Sequence, residues 1–119
     1  MTAGFDRRRR ISESAVFQAA LSTRPRSKGS LFDVHCVDPV LDERTPDAAP
    51  PCRLGLVVPK RICRSAARRN WIKRIVRESF RTQVSRALPV DCVVRLRRVP
   101  GDAPAARAEL LVHWRRIST

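Results

Sequence analysis

The sequence has 119 residues, 43% apolar and 30% charged, values that suit one compact domain with a modest core and exclude a wholly disordered chain. Its 25 Lys and Arg against 11 Asp and Glu leave a net charge of +14, a surface that repels itself unless something anionic neutralises it. No stretch approaches the roughly 20 apolar residues of a membrane span, and no apolar signal core follows the N-terminal Arg run, so a cytoplasmic protein without membrane association is expected.

Residues 1–10 end in Arg7, Arg8, Arg9 and Arg10, a charge block expected to form a basic arm, mobile until it meets an anion. Ser12 is a candidate N-cap for a first helix over about 13–22, in which Ala15, Phe17, Ala20 and Leu21 suit one amphipathic face. Pro25 and Gly29 mark a loop from Arg24 to Ser30. Leu31 to Val37 reads as a strand, with Phe32, Val34 and Cys36 on one face and Asp33 and His35 on the other. The Pro-rich, acidic segment 38–51 predicts an irregular connection, a long hairpin loop. Arg53 to Val58 is the next strand, ended by Pro59. The longest helical pattern runs from Ala66 to about Arg86, with Ser65 as its cap and Leu88-Pro89 as its stop. Asp91 to Leu96 predicts another strand. After the turn at Val99-Pro100-Gly101, Asp102 caps a last helix of about 104–116 carrying Leu110, Leu111 and Trp114. This order suggests an α/β sandwich in which one sheet carries the helices, with the whole chain, 1–119, as a single domain.

Cys36, Cys52, Cys63 and Cys92 form no C-x-x-C pair, which argues for small buried hydrophobes over a metal site. His35 and His113 stand in no recognisable nucleophilic or metallopeptidase arrangement, and the four glycines form no Walker or Rossmann pattern. The chain therefore offers no catalytic constellation of its own.

What it does offer is a dense basic cluster. Residues 60–81 hold Lys60, Arg61, Arg64, Arg68, Arg69, Lys73, Arg74, Arg77 and Arg81, with Glu78 as the only acid. On a helix, Ile72, Ile75, Val76, Ser79 and Phe80 share one arc while Asn70, Lys73, Arg74, Arg77 and Arg81 fall opposite. A solvated face normally interleaves both signs, because like charges four apart cost a few tenths of a kcal/mol. Arg69, Lys73, Arg77 and Arg81 form an unrelieved ladder at that spacing, which fits a face used to neutralise phosphates. Only Lys28, Lys60 and Lys73 are lysines, and the planar Arg fork favours nucleic acid over membrane as the polyanion.

The stretch Arg53-Leu54-Gly55-Leu56-Val57-Val58-Pro59-Lys60-Arg61, followed by the segment Arg69-Asn70-Trp71-Ile72-Lys73-Arg74-Ile75-Val76-Arg77-Glu78-Ser79-Phe80-Arg81, closely resembles the bacterial ribonuclease P protein family. That family's hallmark is an R-N-x-x-K-R-x-x-R-E helix after a strand of the form R-x-G-L-x-V-x-K-K, and looser similarity extends from about Arg10 to Trp114. The resemblance implies an α/β (α+β) sandwich with three helices and a mostly four-stranded sheet, ribosomal protein S5 domain 2-like, with a left-handed β-α-β crossover. Pattern alone favours the right-handed connection.

It further implies an accessory subunit of an endoribonuclease whose active site belongs to the RNA. The RNA subunit, holding most of the Mg²⁺, hydrolyses the phosphodiester that joins the 5′ leader to precursor tRNA. Partners are then ribonuclease P RNA and the precursor tRNA leader, with no protein partner expected. Carried over by position, Arg69, Asn70, Lys73, Arg74 and Arg77 face the catalytic RNA, and Lys60, Arg61, Arg64, Arg68 and Arg81 extend that surface. A leader-binding cleft between the first helix and the sheet would involve Arg10, Phe17, Leu21 and His35. Phe17 is either a stacking platform for a base or a core residue. Leu21 and His35 stand where relatives often carry further aromatics, and Trp71 replaces a common basic residue, where it either covers the core edge or stacks on RNA.

Three other readings compete. A ribosomal-type binding module would use the same charge and helix. A helix-turn-helix would want two consecutive helices. A nuclease acting alone would need groups the sequence does not show.

Overall fold

The computed structural model describes residues 9–38, 52–85 and 87–118. In chain order the elements are α1 (Ser14–Leu21), β1 (Ser27–Lys28), β2 (Phe32–Val37), β3 (Leu54–Val57), α2 (Ala66–Gln83), β4 (Asp91–Leu96) and α3 (Ala103–Ser118). The strands form one sheet in the order β1-β2-β4-β3, with β2 antiparallel and β3 parallel to β4. This is the α+β architecture expected, three helices on a four-stranded mixed sheet.

Alternation along the strands sends side chains to two different cores. Phe32, Val34, Leu54, Cys92, Val94 and Leu96 join Ile72, Val76 and Phe80 of α2 and Leu110, Trp114 and Ile117 of α3 in the main cluster. Phe80 and Trp114 meet edge to face at 5.7 Å, and the Trp114 indole N–H donates to Ser79 Oγ at 2.7 Å. On the opposite face Val93 packs with Ile11 and Ala20, flanked by Phe17, Leu21, Val37 and Val57. The sheet is therefore buried on both sides at its centre.

Two of the three anticipated caps form: Ser65 Oγ accepts from the Arg68 amide at 3.2 Å, and Asp102 Oδ1 from the Ala105 amide at 2.8 Å. Elsewhere the structure corrects the sequence reading. The N-cap of α1 is Glu13, not Ser12, and its carboxylate does not cap. It pairs instead with Arg53, 3.2 Å away, which also grips the buried Asp91 at 2.8 Å. The loop expected over 24–30 contains the short strand β1, paired to β2 through Ser27 with Val34 and Lys28 with Asp33. Hydrogen-bonding demand next to an open sheet edge overrides the Pro and Gly signals there.

A hairpin between β2 and β3 is also overturned, since β4 lies between them. Its Val93 and Val94 are buried on opposite faces, so β4 belongs at the centre of the sheet, and β3 reaches it in parallel through the α2 crossover. The 38–51 connection itself lies outside the described residues apart from Asp38, as do residues 1–8 of the expected arm.

Arg9 and Arg10, however, are docked. Arg9 is 4% exposed. It donates to the carbonyls of Cys52 at 2.9 Å and Val84 at 3.3 Å and lies 4.6 Å above the Phe80 ring. Two carbonyls and a ring face outweigh the charge that led the sequence reading to leave the residue in solvent.

Candidate RNA-binding surfaces

Helix α2 presents two faces, as its pattern requires. Ile72, Ile75, Val76 and Phe80 are buried, whereas Asn70, Arg74 and Arg81 are exposed and Lys73 and Arg77 half-buried. Not all of the basic ladder is equally available. The Arg69 guanidinium donates to the carbonyls of Cys63 at 3.0 Å and Arg64 at 2.9 Å, which ties the start of the helix to the preceding loop. Arg81 is paired with Glu78. Lys60, Arg61 and Arg64 are exposed along the turn and connection that lead into α2, and Arg68 is exposed in its first turn. Trp71 is half-buried against the main core, so it covers the core edge.

The middle of the ladder forms a concave site. Arg10, Asn70, Arg74, Arg77 and Glu78 line a pocket of about 360 Å³. Burial and the nearby Arg10 charge both lower the Arg77 pKa, a sign that this guanidinium sits in a field of like charge. Such a site gains from an incoming anion, and the Asn70 amide adds both a donor and an acceptor.

Arg10 reaches this pocket because the N-terminal segment runs along β3, with Arg10 bridging Leu54 and the Ile11 amide donating to the Leu54 carbonyl at 2.9 Å. The sequence reading had grouped Arg10 with the cleft residues. Its side chain joins the α2 group, while its neighbour Ile11 packs in the α1 cluster.

The second surface lies between α1 and the sheet. Phe17 and Leu21 are half-buried there against Ile11, Ala20 and Val93. His35 is 4% exposed, and its Nδ1 lies 3.1 Å from the Thr23 carbonyl, which can only accept. With so little surface, His35 has no ring face to offer a base, and it holds the exit of α1 instead. Sequence reasoning missed Arg95 and Arg97. Alternation places both on the same face as Val93, where Arg95 is half-buried and Arg97 is exposed and paired with Asp33 at 2.8 Å. The alternation in Cys92-Val93-Val94-Arg95-Leu96-Arg97 carried that signal.

His113 proves to have tertiary partners. Its Nδ1 lies 2.5 Å from Ser27 Oγ and its Nε2 3.1 Å from Glu109 Oε2. Ser27 is 2% exposed and His113 0%, so no substrate reaches this Ser-His-Glu row. The Glu109 carboxylate also accepts from the amides of Leu31 and Phe32 and from Ser30 Oγ, which makes the row a clamp between α3 and the β1-β2 turn.

Residues 5–118 match the sequence family described as Ribonuclease P. The chain belongs to the ribonuclease P protein family. The Ribonuclease P protein component of Bordetella avium is 38% identical over 117 residues, covering 92% of this chain and 91% of that protein. The one from Bordetella petrii is 33% identical over 114 residues, with 91% and 90% covered. Among solved structures, the RNase P protein from Thermotoga maritima superposes with a TM-score of 0.68 at 26% identity, covering 90% of this chain and 96% of that one. A Staphylococcus aureus RNase P protein mutant gives 0.69 at 23% identity, over 92% and 87% of the chains, which supports the fold alone. The R-N-x-x-K-R-x-x-R-E segment of the ribonuclease P family thus falls on α2, its apolar positions in the core and its Asn70, Arg74 and Arg77 lining the anion-favouring pocket.

Proposed function

We propose that this chain is the protein subunit of ribonuclease P in the cytoplasm, binding the catalytic RNA through α2 and the 5′ leader of precursor tRNA through the cleft between α1 and the sheet. The observation that carries this reading is the pocket formed by Arg10, Asn70, Arg74 and Arg77 on the solvent side of a helix whose other side is core. Phosphates of a folded RNA satisfy that excess of positive charge, and each one neutralised releases counterions. Lys60, Arg61 and Arg64 along the connection before α2, and Arg68 in its first turn, extend the path, while Arg69 and Arg81 lie toward the two ends of the helix and share their guanidinium groups with protein acceptors. In the cleft, Phe17 and Leu21 supply apolar surface for unstacked leader bases, with Arg95 and Arg97 near enough in the sheet to meet the leader backbone.

Hydrolysis in this reading belongs to the RNA subunit, which holds the Mg²⁺. The α2 pocket does not suit that ion. A hard divalent cation wants several oxygen ligands, and Glu78, the one carboxylate lining the pocket among the described residues, is engaged by Arg81 and surrounded by cations. The protein's part is to fix RNA and leader in a productive arrangement, not to supply reacting groups.

The test is cleavage of a 5′-extended precursor tRNA at low Mg²⁺ by the protein, by bacterial ribonuclease P RNA, and by the two together. The proposal expects only the mixture to cut at the mature 5′ end. A protein that binds structured RNA but leaves cleavage unchanged would instead be a ribosomal-type binding module, and cleavage by the protein alone would point to an independent nuclease.

A further inference from the structure

Three cysteines that the sequence scatters come together in the sheet. Cys36 on β2 and Cys92 on β4 are directly opposed in the antiparallel register, which puts their side chains on one face and their Cα atoms about 4.5–5.5 Å apart. That separation falls within the roughly 4.4–6.8 Å range of disulfides. Cys52, just before β3, completes the group: Leu54, two residues on, lies opposite Cys92 in the parallel register, so alternation turns Cys52 to the same face, and the Cys36 and Cys52 thiols are the largest influences on the Cys92 thiol. All are free thiols, and the α2 surface uses none of them.

The three are not equivalent. Cys92 is 0% exposed and Cys52 1%, whereas Cys36 is half-buried and opens onto a pocket of about 340 Å³ lined also by Thr23, Arg26, Val37, Asp38 and Val90. Arg26 and Asp38 bring one cation and one carboxylate to the same pocket as the Cys36 sulfur. Contact with the Cys92 thiol holds Cys36 below the ordinary thiol range, burial opposes this, and the Arg26 charge reinforces it. The Cys36 and Cys52 thiols, together with burial, push the Cys92 thiol up, so Cys36 is the first of the pair to react. A reachable sulfur in a pocket that also holds a cation, with a second thiol directly opposite it in the strand register, has the arrangement of an attacking thiol and a resolving one.

We propose that Cys36 is a peroxide-reactive thiol and Cys92 its resolving partner, so that a hydroperoxide converts the pair to a disulfide across β2 and β4. The Cys36 sulfur attacks the O–O bond of the hydroperoxide. An S–O bond forms as the O–O bond breaks, water or an alcohol leaves with the thiol proton, and Cys36 is oxidised by two electrons to a sulfenic acid. The Cys92 sulfur then displaces the hydroxyl group, the S–S bond forms as the S–O bond breaks, and a second water carries away the Cys92 proton. Two thiols and one hydroperoxide thus yield one disulfide, one water, and a further water or alcohol.

The experiment is titration of the full chain with hydrogen peroxide, followed by alkylation and non-reducing peptide mapping by mass spectrometry. A linked Cys36–Cys92 peptide is expected, with Cys63 still open to alkylation after unfolding. Cys63 serves as an internal control because its thiol lies outside the group, donating to the Ser65 carbonyl at 3.8 Å. Cys36→Ser should abolish the link, Cys92→Ser should leave a Cys36 sulfenic acid that a 1,3-diketone traps, and Arg26→Gln should slow the reaction several-fold. The wild-type map decides the matter even if a variant fails to fold. A Cys52–Cys92 link, an unmodified Cys36, or a Cys36 that reacts no faster in the native chain than in urea would each overturn the proposal.

Discussion

Phe17 of α1 occupies the space that a side chain on Gly55 of β3 would need: its Cε1 and Cζ lie 2.7 and 2.9 Å from the place of a Cβ there. Ile11 closes the same spot from the other side, its Cβ 3.3 Å away. The glycine of the R-x-G-L strand is thus what seats the first helix on the sheet. Gly55→Ala is expected to lift the Phe17 ring and to cost about 1–3 kcal/mol of stability, measured by urea unfolding. Since Phe17 belongs to the proposed leader cleft, leader binding should fall by a larger factor than assembly with the RNA subunit. Equal losses in both would mean that Phe17 serves only the core.

Arg74 and Arg69 should respond differently to truncation although both lie on the basic helix. Arg74 is exposed and lines the α2 pocket, so Arg74→Ala should lower the slope of log affinity against log salt by about 1 and leave the unfolding midpoint unchanged. Arg69 holds two loop carbonyls, so Arg69→Ala should also lower the midpoint. Titrations of the ribonuclease P RNA over a range of KCl concentrations, with thermal unfolding in parallel, separate the two effects. A salt slope unmoved by Arg74→Ala would remove α2 from the RNA interface.

Periodicity made most of the scaffold legible. The apolar arc of Ile72, Ile75, Val76 and Phe80 and the strand pattern around Val93 and Val94 reappear as core residues, because burial is what such spacing records. Strand order was not legible, since nothing local to residues 53–58 tells whether they pair with β2 or with β4. The candidate site divided in the same way. The charged face of α2 follows from helical geometry, whereas the docking of Arg9, the move of Arg10 to the α2 pocket and the burial of His35 depend on contacts between segments far apart in the chain. The Cys36–Cys92 pair was hidden for the same reason, since only strand register brings them together.

Glu109 should give the fold an acid-sensitive joint. Burial pushes its carboxyl up, but hydrogen bonds from the Leu31 amide, Ser30, the Phe32 amide and His113 outweigh that and hold it below its ordinary 4.5. A folded value below the unfolded one means that the contribution is fully present above the ordinary value and is lost as pH falls through the folded one. Glu109→Gln should therefore flatten the decline of stability below about pH 4.5, followed by urea unfolding at stepped pH. Glu109→Ala, which strips the β1-β2 turn of its acceptor, should cost on the order of 2–4 kcal/mol near neutrality. An unchanged acid profile in the Gln variant would show that the clamp does not depend on the carboxylate charge.

Arg9 is expected to behave as a structural residue in spite of its place in an Arg run. Its guanidinium joins the Cys52 carbonyl before β3 to the Val84 carbonyl after α2, over the Phe80 ring. Removing it leaves two carbonyls short of a donor and a ring without its cation. Arg9→Ala should therefore destabilise the fold by roughly 2–4 kcal/mol, and Arg9→Lys should recover only part of the loss because an ammonium cannot reproduce the planar fork. Urea unfolding gives the energies, and hydrogen exchange at the Ile11 amide, bonded to Leu54, reports whether the segment along β3 loosens. A loss no larger than the roughly 0.5 kcal/mol of an ordinary surface substitution would mean that Ile11 alone anchors the segment. In that case Arg9 would return to the pool of cations available to RNA.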